Sequence, residues 1–122
     1  MKKKILVVDD EMVIVNLLKD LFESNGYNVI TASSGPQGLL RAKDDEPDLI
    51  ILDINMSGMF GCAVSEVLKE IDKTRHIPII FLTGFLDEED ADELKHTLAG
   101  HTIFTKPFDN DVLLNKVKEL IG

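Results

Sequence analysis

Short apolar runs alternate along the chain with longer segments of mixed apolar and polar residues. The runs are rich in β-branched side chains and carry almost no charge. Strands that are apolar on both faces are typical of a parallel sheet covered by helices on each side. The pattern therefore predicts a set of buried strands. Their positions are Ile5–Val8, Val29–Ala32, Leu49–Leu52, Ile79–Leu82 and Thr102–Thr105.

Helical spacing of apolar residues marks the segments between these strands. Glu11–Asn25 has its apolar residues on one helical face, and Gly26 supplies a stop signal. Ser34 favours the start of a second helix just before Pro36, and Asp109 can cap the last helix. The third and fourth predicted helices contain Val64–Ile71 and Ala91–Leu98.

The order of these elements, strand then helix repeated along the chain, predicts an α/β fold. With five strands we expect a flavodoxin-like doubly wound parallel sheet of order 2-1-3-4-5, with five helices, in three layers. The length suits one domain, so we expect a single domain over residues 1–122. In such a sheet, ligands bind beyond the carboxyl ends of the strands, near strands 1 and 3.

The acidic charge narrows the classes of function. There are 22 Asp and Glu residues against 13 Lys and Arg, which gives a formal net charge of −9. Nucleic-acid phosphates are bound by Lys and Arg, so this balance argues against direct nucleic-acid binding. No stretch approaches the roughly 18 apolar residues of a membrane span. The single cysteine, Cys62, suits a reducing compartment, so we expect a cytoplasmic protein.

Polar residues that could bind a ligand or take part in a reaction follow four of the five predicted strands. Asp9 and Asp10 follow strand 1, and Asp53 follows strand 3. Because these strands would be neighbours, the carboxylates would converge and repel one another unless a positive charge compensated. Mg²⁺ is one candidate, because it prefers oxygen ligands, and the ammonium of Lys106 after strand 5 is another. Together with Thr83 after strand 4, this set suits phosphoryl transfer onto a carboxylate nucleophile.

Four motifs resemble the receiver-domain signature of bacterial two-component response regulators, in particular the single-domain chemotaxis regulators. They occur in the order and spacing of that family, and the resemblance covers the whole chain. The motifs are Val7-Val8-Asp9-Asp10-Glu11, Asp53-Ile54-Asn55-Met56, Thr83 and Lys106-Pro107-Phe108.

The resemblance implies a phosphorylation switch. Asp53 would accept a phosphoryl group from a sensor histidine kinase or a histidine phosphotransfer protein. Mg²⁺ would be bound by Asp53, by Asp10 directly, by Asp9 largely through water, and by the backbone carbonyl of Asn55. The domain would assist only its own phosphorylation and dephosphorylation, so it is expected to be a regulatory domain and not an enzyme.

The resemblance also implies how the switch works. Lys106 would pair with Asp53 and then with the phosphoryl group, and the Lys106–Pro107 bond would be cis. Thr83 would donate its hydroxyl to a phosphoryl oxygen. A downstream effector protein would then bind the face formed by the fourth predicted helix, strand 5 and the fifth predicted helix.

Three positions depart from the family pattern. Ser57 replaces the usual proline after the acceptor, and Gly84 follows Thr83 where another small residue is usual. Ile103 stands where Tyr or Phe is frequent. Phe104 beside it should face the opposite side of the sheet, because side chains alternate along a strand. The sequence therefore does not predict the family's coupling of the threonine to an aromatic ring.

Three other functions stay open at this level. A haloacid-dehalogenase-like phosphatase also uses an Asp nucleophile, but it needs a second Asp where Glu11 stands. A flavin-binding module needs a loop rich in hydroxyl groups and glycine after strand 1, where Asp9 and Asp10 would repel phosphate. A receiver-like interaction module without phosphorylation would not require the complete set of site residues.

Overall fold

The protein is described here by a computed structural model that covers residues 2–54, 61–84 and 102–122. Five parallel strands form one sheet in the order β2-β1-β3-β4-β5. The predicted strand order is therefore confirmed, and each strand lies within one residue of its predicted bounds. The strands are β1 Lys4–Val8, β2 Asn28–Ala32, β3 Leu49–Asp53, β4 Ile79–Thr83 and β5 Thr102–Thr105.

Four helices lie within the described residues and cover both faces of the sheet. The flavodoxin-like architecture of three layers is confirmed. The last helix is the fifth predicted one, and the fourth predicted helix, Ala91–Leu98, lies outside the described residues. The helices are α1 Met12–Glu23, α2 Gly35–Asp45, α3 Gly61–Glu70 and α4 Asn110–Ile121.

Side-chain caps fix two of the helix starts that the sequence indicates. Ser34 Oγ accepts a hydrogen bond from the Gln37 backbone N–H at 3.2 Å, and the Gln37 side chain accepts one in return from the Ser33 N–H. Asp109 Oδ1 accepts from the backbone N–H groups of the first turn of α4 at 2.9 and 3.0 Å. The chain therefore enters α2 and α4 directly from the carboxyl side of the sheet.

Each face of the sheet packs against its own pair of helices. Leu6 and Val8 of β1 lie in the cluster under α2 and α3, whereas Ile5 and Val7 lie in the cluster under α1 and α4. The same alternation places Ile103 and Phe104 of β5 against opposite clusters, as expected for adjacent residues of one strand.

Some residues that fit the helical pattern are not in the core. Leu17 of α1 is 41% exposed and Leu40 of α2 is 55% exposed. α2 also ends in a way that the sequence did not indicate, because Glu46 adopts a left-handed backbone with a φ of 46°. Among the described residues, no helix is long and apolar enough to cross a membrane.

Candidate functional site

The register of β1 and β3 brings three carboxylates together. Val8 pairs with Leu52, so the residues that follow, Asp9 and Asp53, leave adjacent strands side by side. Oxygen atoms of Asp9, Asp10 and Asp53 lie within 4.8 Å of one another. Asp9 and Asp53 are buried, whereas Asp10 is exposed. This arrangement concentrates negative charge at the edge of the sheet formed by the carboxyl ends of the strands.

Asp9 is held in place by the backbone around it. Its N–H donates to the Ala32 carbonyl of β2 at 3.1 Å, and its Oδ1 accepts from the Glu11 N–H at 2.9 Å. Its Oδ2 is buried and accepts no well-aligned hydrogen bond from the described part of the chain, although Lys106 Nζ lies 2.9 Å away. Besides its ion pair with Lys106, this carboxylate oxygen has lone-pair capacity for one further hydrogen-bond donor, such as a metal-bound water.

Lys106 reaches the acidic cluster from the end of β5. Its backbone N–H donates to the Thr83 carbonyl at 2.7 Å, and the bond to Pro107 is cis, as the family resemblance implies. Its Nζ lies 2.9 Å from Asp9 Oδ2, 3.0 Å from Glu11 Oε1 and 3.6 Å from Asp53 Oδ2. One ammonium thus contacts three carboxylates, and Asp53 is the most distant of them.

The environment keeps Lys106 charged. Burial by itself would lower the pKa of its ammonium, because only 11% of the side chain is exposed. The contacts with the Asp9 and Glu11 carboxylates, and the charge of Asp53, outweigh burial and raise that pKa above its ordinary value. Lys106 therefore remains a cation across the physiological pH range.

Thr83 completes the strand-end group on the β4 side. It is fully buried at the end of β4, one position beyond Leu82, which pairs with Asp53. Among the described residues, no atom beyond the adjacent residues lies within 4 Å of the position that a Cβ of the next residue, Gly84, would occupy. Asn55 and Ser57 lie outside the described residues.

Glu11 is a site residue to which the sequence assigned no role. It is the N-cap residue of α1, but its side chain makes no capping hydrogen bond to that helix. The carboxylate contacts Lys106 instead and remains 59% exposed. Its position directly after the Asp9-Asp10 pair could have indicated that it lies near the acidic cluster. Its contact with Lys106, however, depends on the side-chain conformation of a lysine near the other end of the chain.

The donor set fits a hard divalent cation. All the converging groups are carboxylates, one carries a buried oxygen without an aligned hydrogen bond, and one faces solvent. Mg²⁺ binds through few carboxylates and retains several waters, which an exposed ligand such as Asp10 permits. The site is therefore an acidic pocket able to bind a metal ion.

Comparison with known proteins gives a consistent result. A family model described as the response regulator receiver domain matches residues 5–118. The transcriptional regulatory protein PhoP of Bacillus subtilis is 40% identical over 121 residues. That match covers 99% of this chain but 49% of PhoP, so the chain spans about half the length of that relative.

Two further similar proteins match this chain over nearly the full length of both chains. The polar-differentiation response regulator DivK of Brucella anthropi is 30% identical over 122 residues, covering 100% of this chain and 98% of DivK. The crystal structure of the receiver domain of a sensor histidine kinase from Pseudomonas aeruginosa has a TM-score of 0.87 and 25% identity, covering 100% of this chain and 99% of that chain. That structure has a magnesium ion coordinated in its active-site cleft.

The fold and the acidic strand-end pocket define a doubly wound α/β signalling domain. The chain belongs to the family of response regulator receiver domains, the phosphorylation-dependent switches of two-component signalling. Domains of this family act between histidine kinases and downstream effectors.

Proposed function

We propose that residues 1–122 form one receiver domain whose phosphoacceptor is Asp53 and whose cofactor is Mg²⁺. The observation that supports this most is the convergence of the carboxylates of Asp9, Asp10 and Asp53 beside the ammonium of Lys106. Two of these three carboxylates are buried, those of Asp9 and Asp53. Asp53 ends β3, the central strand of the sheet. A nucleophile in that position is shielded from competing water yet borders the open strand edge.

In the proposed reaction, an oxygen of Asp53 attacks the phosphorus atom of a phosphohistidine. The P–N bond of the donor breaks as the new P–O bond forms, and the imidazole leaves with the electron pair of the broken bond. The charge to be stabilised lies on the phosphoryl oxygens, so catalysis depends on positioning and on neutralising charge. When bound, Mg²⁺ supplies part of that neutralisation.

The residues of the chain supply the rest. Lys106 lies 3.6 Å from Asp53 Oδ2, so its ammonium can move to a phosphoryl oxygen with a small side-chain adjustment. The Thr83 hydroxyl at the end of β4 would donate to another phosphoryl oxygen. For the metal, Asp10, Asp53 and the carbonyl of Asn55 would be direct ligands, and Asp9 would act largely through water.

The partners proposed for the domain follow from this chemistry. In the cytoplasm, a sensor histidine kinase or a histidine phosphotransfer protein would donate the phosphoryl group, and phosphorylation would change the affinity for an effector protein. The surface proposed for the effector includes β5 and α4, and exposed Val112 and Leu120 of α4 offer it apolar contacts. Phosphotransfer profiling against a panel of histidine kinases would identify the donor.

Intact-mass spectrometry after treatment with acetyl phosphate tests the proposal. We expect the wild type to gain one phosphoryl group in the presence of Mg²⁺ and none after chelation with EDTA. Asp53→Asn should remain unmodified, because an amide is not a nucleophile comparable to a carboxylate. An equal gain in Asp53→Asn would place the acceptor elsewhere. Turnover of a separate phosphate ester without stable labelling would favour a phosphatase instead.

A further inference from the structure

The cluster around Lys106 has one member that the proposed chemistry does not use. Asp9 and Asp53 are buried, whereas Glu11 contacts Lys106 Nζ at 3.0 Å with a side chain that is 59% exposed. Glu11 is also absent from the group of carboxylates close enough to share a metal ion. Its role therefore has to be explained by its contact with Lys106.

The local structure makes this contact specific. Glu11 occupies the N-cap position of α1, where a side chain commonly accepts a hydrogen bond from its own helix, yet it makes none. Its backbone N–H donates to Asp9 Oδ1 at 2.9 Å, which fixes the start of the side chain beside the acidic cluster. The carboxylate then lies against Lys106, 95 residues away in the sequence.

We propose that Glu11 is a positioning residue that holds Lys106 back from the phosphoryl position and so limits the phosphoryl affinity of Asp53. The inference rests on the proposed function. Phosphorylation adds negative charge at Asp53, and Lys106 must then turn further toward that residue. Glu11 opposes the change twice, because it competes for the ammonium and because its own charge repels the phosphoryl oxygens.

The proposal predicts opposite effects on two ligands. Glu11→Gln removes a negative charge near the metal site, so Mg²⁺ binding should weaken slightly. The same substitution removes one of the two close carboxylates, Asp9 and Glu11, that hold Lys106 away from Asp53. At saturating Mg²⁺ the phosphoryl mimic beryllofluoride should therefore bind more tightly. Local unfolding or a distorted site would instead weaken the binding of both ligands. Opposite changes in the affinities for Mg²⁺ and beryllofluoride therefore distinguish a positioning role from structural damage.

Glu23→Gln is the matched control. Glu23 is exposed in the last turn of α1, and its substitution changes the net charge of the protein by the same amount as Glu11→Gln. It lies roughly 18 Å from Glu11 along the helix at 1.5 Å per residue. That distance exceeds a Debye length of about 8 Å at physiological salt, so its charge should not reach the site.

Isothermal titration calorimetry of the wild type and both variants is the test, first with Mg²⁺ and then with beryllofluoride at saturating Mg²⁺. For Glu11→Gln we expect a beryllofluoride affinity about two- to five-fold higher, the range that one exposed ion pair supports. The gain should shrink as salt is raised, and Glu23→Gln should match the wild type. An unchanged or lower beryllofluoride affinity in Glu11→Gln would overturn the inference while leaving the proposed function intact. A wild type that binds no beryllofluoride with Mg²⁺ would overturn both.

Discussion

At the scale of single residues, Asp9 and Asp10 are adjacent in the chain but differ in burial and in their contacts. Asp9 is fully buried, accepts a hydrogen bond from Glu11 N–H and lies 2.9 Å from Lys106 Nζ. Asp10 is exposed at the rim of the same pocket. Asp9 is thus already engaged by the protein, and Asp10 is better placed to meet a hydrated ion directly.

The two substitutions Asp10→Ala and Asp9→Ala should therefore weaken Mg²⁺ binding unequally. Loss of an indirect partner typically costs about 10- to 100-fold in metal affinity, and loss of a direct ligand costs more. We expect Asp9→Ala to fall in that range and Asp10→Ala to exceed it. Calorimetric titration with Mg²⁺ measures both constants. A weaker affinity in Asp9→Ala than in Asp10→Ala would reverse the assignment of direct and water-mediated ligands.

At the scale of elements, the position of α2 on the sheet depends on one glycine. A Cβ atom at Gly38 would lie 2.9 Å from Val8 Cγ1 and 3.0 Å from Val8 Cγ2. Val8 is buried and β-branched, so its methyl groups have little room to move. The absence of a side chain at Gly38 lets α2 pack directly on β1, next to the strand end that carries Asp9.

Gly38→Ala should consequently destabilise the fold. Alanine favours a helix over glycine by about 1 kcal/mol, but overpacking of a filled core costs about 1–3 kcal/mol. We expect a net loss of about 1 kcal/mol in the free energy of unfolding, measured by urea denaturation. In a Val8→Ala background the clash is absent, so the same substitution should become neutral or stabilising. A destabilisation of equal size in both backgrounds would contradict this account.

At the scale of the whole molecule, Tyr27 joins parts of the chain that are far apart in sequence. Its ring is buried edge-on against Phe22, and its hydroxyl donates to the Gly122 carbonyl at 3.3 Å. Burial raises the pKa of the Tyr27 phenol above its ordinary value, because the phenolate is poorly solvated there. Ionisation of this phenol therefore lowers the stability of the folded state relative to the unfolded state.

Alkaline pH should expose that coupling. In the unfolded chain the Tyr27 phenol ionises at about pH 10, the ordinary value for tyrosine. In the folded protein it ionises only at higher pH. Stability from this group is complete below pH 10 and is lost as pH rises through the folded pKa, by at most about 1.4 kcal/mol per pH unit. Tyr27→Phe should lack this component of the pH dependence.

Urea denaturation of both proteins from pH 8 upward measures the difference, because other groups contribute equally to each. Tyr27 is the sole tyrosine and there is no tryptophan, so tyrosinate absorbance reports its ionisation directly. Identical pH profiles for wild type and Tyr27→Phe would show that the phenol titrates normally in the folded protein.

Much of this architecture follows from the sequence alone. Short apolar runs of β-branched residues are typical of strands in a covered parallel sheet, and helical spacing between them predicts helices on both faces. The two edge strands, β2 and β5, are nevertheless only partly buried. Once the order of elements is known, parallel strands place Asp9, Asp10 and Asp53 at one edge of the sheet, whatever the details of packing. Strong local caps at Ser34 and Asp109 likewise determined where two helices begin.

Only the tertiary structure decided which groups contact one another within that edge. Lys106 could have paired with Asp53 alone, but its long flexible side chain lies closer to Asp9 and to Glu11.

The exposure of Leu17 and Leu40 could not be predicted from the sequence either. Helical spacing gives the face on which a residue lies but not the extent of the element that covers that face. Composition and periodicity are short-range properties of a chain, whereas ion pairs and burial depend on side chains brought together from positions far apart in sequence.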